Sequence, residues 1–252
     1  MSDDHILLET SAEHPGVRVI RFNRPDKKNA ITEAMYRRMA DGLKAANADP
    51  DIRAIAFLGT QGCFTAGNDM KDFLAYALGG GNARPAAFDF LVELAGSEKP
   101  VVSGVDGLAI GIGTTLNMHC DLTVASARSL FKTPFAELGL VPEAGSSLLG
   151  PLAMGHQSAF GLLVIGEGMS GEAAREAGLV YRVVEPEQVE AEALRLAARL
   201  ASLPPEAVSI SRTLLRGDRA ALKARMEEEL VHFMARLKSE EARAAFEAFL
   251  KK

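Results

Sequence analysis

Two short apolar runs, each followed by a glycine-rich loop, constrain this chain more than any other feature of its sequence. Residues 52–58 lead to the loop 64–70, and residues 101–105 lead to the loop 106–113. Short apolar runs bounded by turn residues are typical of buried strands, and glycine lets a backbone approach a ligand closely. Two such loops can each aim one main-chain N–H at the same oxygen, which is the geometry of an oxyanion hole.

Other interpretations of these glycines fit the residues poorly. Gly111-x-Gly113 resembles part of a dinucleotide fingerprint, but Leu116 stands where a third small residue is required. A phosphate-binding loop needs a Gly-Lys pair, whereas Gly113 is followed by Thr114 and Thr115. The sequence therefore favours a site for a developing negative charge on oxygen over a nucleotide site.

The composition narrows the possible partners and compartment. A net charge of −5 without a basic block argues against nucleic acid as the main partner. Residues 1–10 carry acids and no apolar segment, unlike a signal peptide, and we find no uninterrupted apolar run of membrane-spanning length. The only cysteines, Cys63 and Cys120, suit a reducing compartment. We expect a cytoplasmic protein with no nucleic-acid or membrane partner.

The order of elements predicts an α/β fold. Strand, turn and helix patterns alternate up to about residue 184, and helical patterns alone follow. We expect helices capped by Thr32, Ser170 and Asp218. The long helix after Asp218 has a broad apolar face that either a neighbouring subunit or the chain's own core must cover. The sequence leaves that choice open.

Four motifs, in order, resemble those of the crotonase superfamily, the enoyl-CoA hydratases and isomerases, over nearly the whole chain. They are Asn23-Arg24-Pro25 with Asn29-Ala30-Ile31, the loop 64–70, the segment 105–121, and the closing segment 239–252. The resemblance implies a crotonase-type ββα spiral core at 1–197 that binds acyl-CoA, with a helical trimerisation region at 198–252. It also implies a homotrimer or dimer of trimers, an acyl-CoA thioester substrate, and neither a separate cofactor nor a metal.

The same resemblance assigns the binding residues. It gives the oxyanion-hole N–H groups to Asn68 and Ile112, although the family usually has glycine at the second position. The bulk of Ile112 is therefore expected to reshape the acyl pocket while the backbone donor survives. The resemblance implies that the CoA ester lies against Lys28, Ala30, Ala66, Asn68, Asp69, Met70 and Lys71, with Lys27 also near the phosphates. Residues 76–85 are expected to form a variable wall of the acyl pocket.

The group that moves the proton departs from the hydratase pattern. Thr115 and Phe135 stand where the hydratases carry their two glutamates. The segment 134–147 instead resembles peroxisomal-type Δ3,Δ2-enoyl-CoA isomerases, which implies Glu143 as the proton shuttle. We expect Phe135, Leu140 and Val141 to surround Glu143 and raise its pKa. Glu137 is the rival base.

Several alternatives stay open. Glu143 can equally be a first-turn acid that complements a helix dipole. The leading function is Δ3 to Δ2 enoyl-CoA isomerisation; hydration, dienoyl isomerisation and acyl-CoA hydrolysis are other enolate reactions that such a site supports. The loss of the two hydratase acids also suits a non-catalytic acyl-CoA-binding subunit. His119 and Cys120 are expected to be structural.

Overall fold

Two sheets organise the part of the chain that the computed structural model describes, residues 5–10, 12–78 and 84–250. In these residues the larger sheet has six strands, in the order β1 (Ile6–Thr10), β2 (Val17–Phe22), β3 (Ala54–Leu58), β5 (Val101–Val105), β7 (Leu122–Ser126) and β10 (Arg182–Val184). β1 is antiparallel to β2, and all other neighbours are parallel. Every residue of β3 and β5 is buried, as predicted, although β3 begins two residues later than the apolar run.

The smaller sheet was not predicted from the sequence. Among the same described residues its order is β4 (Cys63–Thr65), β6 (Leu108–Ile110), β8 (Leu130–Lys132) and β9 (Met169–Ser170). β4 and β6 lie within or beside the two glycine-rich loops and pair in parallel. Each loop is therefore a short second-layer strand followed by a turn. Strands of two or three residues are too short for a hydrophobic pattern to reveal.

Helices connect and cover the sheets. They are α1 (Glu33–Ala48), α2 (Met70–Leu78), α3 (Ala86–Gly96), α4 (Ile112–Thr115), α5 (Ser146–Phe160), α6 (Gly171–Ala177), α7 (Val189–Ala201), α8 (Pro205–Arg216), α9 (Arg219–Leu237) and α10 (Glu240–Leu250). Thr32, Ser170 and Asp218 accept hydrogen bonds from first-turn N–H groups of α1, α6 and α9, which confirms the three predicted caps.

The large sheet buries different residues on its two faces because side chains alternate along a strand. On β3, Ala54, Ala56 and Leu58 pack against α7 in one cluster. Ile55 and Phe57 point the other way into the main core, which α1 and α3 also enter. The α/β fold expected from the sequence is confirmed, and the smaller sheet brings β4 and β6 side by side.

The C-terminal helices contribute to the chain's own core. Met226 and Leu237 of α9 and Phe246 of α10 are buried in the main cluster. The exposed apolar side chains lie mainly on other helices, including Leu152 of α5 and Leu215 of α8. The division at residue 197 and the homotrimer stay predictions. Of the predicted acyl-pocket wall at 76–85, residues 79–83 lie outside the described part of the chain.

One helical segment passes a length and composition test for a membrane span, although polar residues interrupt its apolar run. Ser146–Ile165 is long and apolar enough by length and composition, with a mean hydropathy of 1.4. Gly155 has non-helical dihedral angles and interrupts the segment, so α5 is kinked there. The absence of a membrane partner stays a prediction.

Candidate active site

The two glycine-rich loops lie against each other. A Cβ placed on Gly67, whose φ is +87°, would lie 2.7 Å from the carbonyl oxygen of Ile110. A Cβ on Gly113 would lie 2.6 Å from the Thr65 Cγ2 atom. Only glycine permits these approaches, because real Cβ atoms are not found so close to other heavy atoms. The glycines therefore let the two loops pack together, with Asn68 directly after Gly67 and Ile112 directly before Gly113.

The N-terminal turn fixes the first loop from the other side. The buried Asn29 side chain donates through Nδ2 to the carbonyls of Cys63 (2.9 Å) and Phe64 (3.1 Å). Thr65 Oγ1 donates to the Asn29 carbonyl at 2.6 Å. Ile31 pairs with the loop as a short parallel bridge at Asn68. These bonds explain why the asparagine turn and the first loop occur together in this sequence.

The predicted oxyanion donors occupy different surroundings. Neither the Asn68 nor the Ile112 N–H donates a hydrogen bond to another residue in the described part of the chain. Ile112 begins α4, so its N–H has no partner within the helix. Its side chain is 2% exposed and packs in the main core. The expected effect of the Ile112 side chain on the acyl pocket stays a prediction.

A cavity beside the loops joins Asn68 to Glu143. It is lined by Ile31, Glu33, Tyr36, Asn68, Asp69, Asp72, Phe73, Pro85, Ala87, Phe88, Leu91, Glu143, Ala144, Met226, Glu229, Leu230, Phe233, Met234 and Leu237. Ile112 is not among these residues. Phe135, Leu140 and Val141 do not line it either, so their expected contribution to the burial of Glu143 stays a prediction. The apolar wall comes from α3 and α9, elements distant in sequence.

Glu143 is held by the residue that replaces the first hydratase glutamate. Thr115, fully buried at the end of α4, donates its hydroxyl to Glu143 Oε1 at 2.6 Å. Burial raises the pKa of Glu143 to about 8, with a further rise from the negative charge of Glu229 and an opposing effect of the Thr115 hydrogen bond. Glu143 can therefore exchange a proton near neutral pH, which is what a general base requires.

Tyr36 of α1 holds the other polar residue of the cavity. Its hydroxyl donates to Asn68 Oδ1 at 2.5 Å. Burial raises the pKa of Tyr36 well above its usual value, and the charge of Glu143 adds to that rise. Tyr36 therefore stays protonated and acts as a donor. Sequence reasoning placed α1 correctly but missed this role, because a tyrosine on an apolar helix face is usually part of the core.

The predicted CoA-binding residues lie on the first loop, 64–70, and on the N-terminal turn beside it. Lys28 and Lys71 are exposed, and the Lys28 carbonyl accepts the Ala66 N–H at 2.9 Å. The Ala30 carbonyl accepts a bond from Arg24 at 2.9 Å. Asp69 forms an ion pair with the same guanidinium at 2.7 Å, which lowers the pKa of that carboxyl although burial opposes the shift. Met70 begins α2.

The remaining sequence candidates lie elsewhere. Glu137, the rival base, forms an ion pair with Lys132 at 2.9 Å and is about half exposed. The imidazole of His119 is buried against the Ala144 carbonyl, and burial lowers its pKa to about 4. In the described residues no group of His, Cys, Asp and Glu side chains is arranged to hold a metal ion.

This fold and cavity define a crotonase-type protein, in which Asn68 and Glu143 line a largely apolar cavity between the first loop and α9. The family model of enoyl-CoA hydratase/isomerase matches residues 12–252. The chain therefore belongs to the enoyl-CoA hydratase/isomerase family, whose members act on acyl-CoA thioesters.

Individual relatives carry different names. Enoyl-CoA delta isomerase 2 of Rattus norvegicus is 36% identical over 93% of this chain, and the chain spans only 61% of its length. A probable enoyl-CoA hydratase of Rhizobium meliloti is 31% identical over 100% of this chain and 97% of its own. The structure of Pseudomonas aeruginosa OdaA has a TM-score of 0.93 at 39% identity, covering 99% of this chain and 100% of that one. These relatives establish the family, but their names do not identify which reaction of the family belongs to this chain.

Proposed function

We propose that this protein is an enoyl-CoA isomerase that shifts a Δ3 double bond to Δ2 through Glu143. The observation that carries the proposal is that Glu143, in the cavity beside Asn68, is bound by a neutral hydroxyl alone in the described part of the chain. The other carboxylates lining this cavity have charged or backbone N–H partners: Glu33 with Arg37, Asp69 with Arg24, Asp72 with the Glu33 N–H, and Glu229 with the N–H groups of Gly145 and Ser147.

The reaction needs one base that returns the proton it takes. The ionised Glu143 carboxylate removes a proton from C2 of the 3-enoyl thioester, and the electron pair delocalises onto the thioester oxygen. The N–H groups of Asn68 and Ile112 stabilise that negative charge, each contributing about 3 kcal/mol to the transition state. Protonated Glu143 then delivers its proton to C4, the double bond moves between C2 and C3, and the carboxylate is regenerated.

The surroundings of Glu143 suit this proton shuttle. A carboxyl with a pKa of about 8 is both a stronger base than a free glutamate and a ready proton donor near neutral pH. The apolar side chains of α3 and α9 along the cavity exclude water, which limits addition of water to the double bond. Hydration by two carboxylates requires a second available acid, and the partnered carboxylates around the cavity do not meet that need.

Glu143→Gln tests the proposal directly. The glutamine side chain has the shape of glutamate and can still accept a hydrogen bond from the Thr115 hydroxyl. It cannot take up the substrate C2 proton, so kcat for 3-enoyl-CoA should fall by about 10³-fold. The wild-type kcat/KM should rise with pH through an apparent pKa near 8, because only the ionised carboxylate removes the C2 proton.

A matched control is Glu137→Gln, since Glu137 lies on the same segment, is half exposed and pairs with Lys132. It should retain activity. A Glu143→Gln variant within a few-fold of wild type would show that another group is the base. If the wild type hydrates 2-enoyl-CoA and does not isomerise 3-enoyl-CoA, it is a hydratase. If it binds CoA esters and turns over neither substrate, it is a non-catalytic acyl-CoA-binding protein.

A further inference from the structure

Another glutamate, Glu229, is buried on the cavity wall and is not used by the proton shuttle. It belongs to α9, 86 positions after Glu143 in the chain, and its side chain is largely inaccessible, with the residue 6% exposed. Its two carboxylate oxygens accept separate backbone hydrogen bonds, Oε2 from the Gly145 N–H at 2.5 Å and Oε1 from the Ser147 N–H at 2.9 Å. Glu229 therefore bonds directly to the turn that follows Glu143.

This turn has an unfavourable backbone conformation. Ala144 has a φ of +63° and Gly145 a φ of +70°. A non-glycine residue in the left-handed region is uncommon and persists only where neighbouring contacts enforce it. The Ala144 carbonyl accepts a hydrogen bond from His119 Nε2 at 2.6 Å. His119 and Glu229 thus hold opposite polar groups of the same turn, the carbonyl of one residue and the N–H of the next.

Glu229 also completes the start of α5. Gly145 is the residue before this helix and has no side chain with which to cap it. First-turn N–H groups of a helix need an acceptor, and an anion is favoured there by the helix dipole. The Glu229 carboxylate from α9 supplies both the hydrogen-bond acceptor and the negative charge. The terminal helix is thereby linked to the geometry of Glu143 through two charge-assisted hydrogen bonds.

We infer that Glu229 is a positioning residue for Glu143, fixing the turn that aims its carboxylate at the substrate. This inference rests on Glu143 being the base. Glu229 does not itself exchange the substrate proton, because both of its oxygens are occupied by backbone N–H groups. It acts by geometry and, as a second negative charge on the same cavity, by electrostatics.

The electrostatic effect has a definite sign. Ionised Glu229 disfavours a second negative charge and so raises the pKa of Glu143. The other titratable groups that face this region are Glu33, Tyr36, Asp69 and Asp72 on the cavity, His119 behind Ala144, and Arg225 of α9. Burial raises the pKa of Glu229, while its hydrogen bonds and the positive charge of Arg225 favour the ionised form. No lysine or arginine is among the cavity-lining residues of the described chain. Removing the charge of Glu229 should therefore lower the pKa of Glu143.

Glu229→Gln tests this role. The variant loses the charge and presents an NH₂ group to one of the two backbone donors. We expect kcat to fall by about 10- to 100-fold with KM within about threefold of wild type, because the turn is displaced without altering substrate contacts. The rise of kcat/KM with pH should move to lower pH.

Two further variants separate position from charge. Glu229→Asp keeps the charge but shortens the reach, so kcat should fall while the pH dependence stays near that of wild type. Glu227→Gln, two positions earlier on α9 and exposed, is the matched control and should behave as wild type. A wild-type kcat and pH dependence in Glu229→Gln overturns the inference, as does lower thermal stability with an unmoved pH dependence.

A measurement without turnover keeps this inference distinct from the proposed reaction. The ¹³Cδ resonance of Glu143, assigned by its loss in Glu143→Gln, reports the pKa of that carboxyl directly. In Glu229→Gln this pKa should be lower than in wild type, even if no isomerase activity is found. An unchanged pKa of Glu143 in this variant would contradict the inferred role of Glu229, whatever the substrate is.

Discussion

The cavity has two walls that are built in different ways. The polar wall, with Asn68 and Glu143, lies on turns whose positions depend on close glycine contacts and on the hydrogen bond from Thr115 behind Glu143. The apolar wall on α9, which includes Leu230 and Phe233, is held by side-chain packing. The polar wall depends on exact atomic positions, whereas the apolar wall depends only on the volume and polarity of its side chains. Substitutions should therefore affect the two walls to very different degrees.

The largest effect is expected where the two loops meet. Gly113→Ala would place a methyl group 2.6 Å from Thr65 Cγ2, which must push apart the loops that bear Asn68 and Ile112. Activity should fall by about 100-fold or more, since a displacement of 1 Å at a catalytic group has that cost. Steady-state kinetics on 3-enoyl-CoA measure it.

Gly96→Ala is the control, because a Cβ there meets nothing within 4 Å. It lies at the end of α3 and should retain wild-type activity. Equal activity in the Gly113→Ala and Gly96→Ala variants would mean that the close contact of the loops is unimportant for the reaction.

An intermediate effect is expected from Thr115→Val, which removes the hydroxyl at nearly constant volume. Loss of a hydrogen bond to the ionised carboxylate raises the pKa of Glu143 further, so less base is ionised at neutral pH. We expect kcat/KM at pH 7 to fall by about 10-fold, with its rise displaced to higher pH. Glu229→Gln should displace the same curve in the opposite direction.

Thr115→Ser keeps the hydroxyl and is expected to keep the wild-type pH dependence. A Thr115→Val curve that coincides with the wild-type curve would contradict the assignment of the Thr115 hydrogen bond to base tuning.

The smallest effect is expected on the apolar wall. Phe233 contacts Phe73 with ring centroids 6.0 Å apart and lines the cavity. Phe233→Leu should change the relative kcat/KM for short and long acyl chains by about 2- to 10-fold, because a change of pocket volume of this kind gives modest discrimination. The pH at which kcat/KM rises should be the same as in the wild type. A loss of activity as large as that of Gly113→Ala would remove the distinction between the walls.

Much of the fold could be predicted because it depends on local patterns. Caps at Thr32 and Asp218 and the buried run 101–105 are properties of neighbouring residues, and the structure confirms them. The second sheet could not be predicted in this way. Its strands at Cys63–Thr65 and Leu108–Ile110 are three residues long and exist because distant segments pair.

The site shows the same difference between features set by local sequence and features set by long-range contacts. The sequence indicated Glu143 and Asn68 through motifs, and the structure brings both to one cavity. It did not indicate that Thr115, treated as a lost acid, donates to Glu143, or that Glu229 caps the turn beside it. These contacts span 28 and 84 positions, and no local pattern encodes which side chain reaches across such a separation.

The sequence by itself therefore determined the family, the α/β order of elements and the chemical groups available: glycines that admit close backbone contact and a carboxylate after Pro142. Only the tertiary structure decided which walls enclose that carboxylate. Its pKa depends on desolvation by α3 and α9 side chains and on one hydroxyl and one charge from other parts of the chain. Dielectric surroundings and long-range hydrogen bonds are properties of packing, so they exist only once the chain has folded.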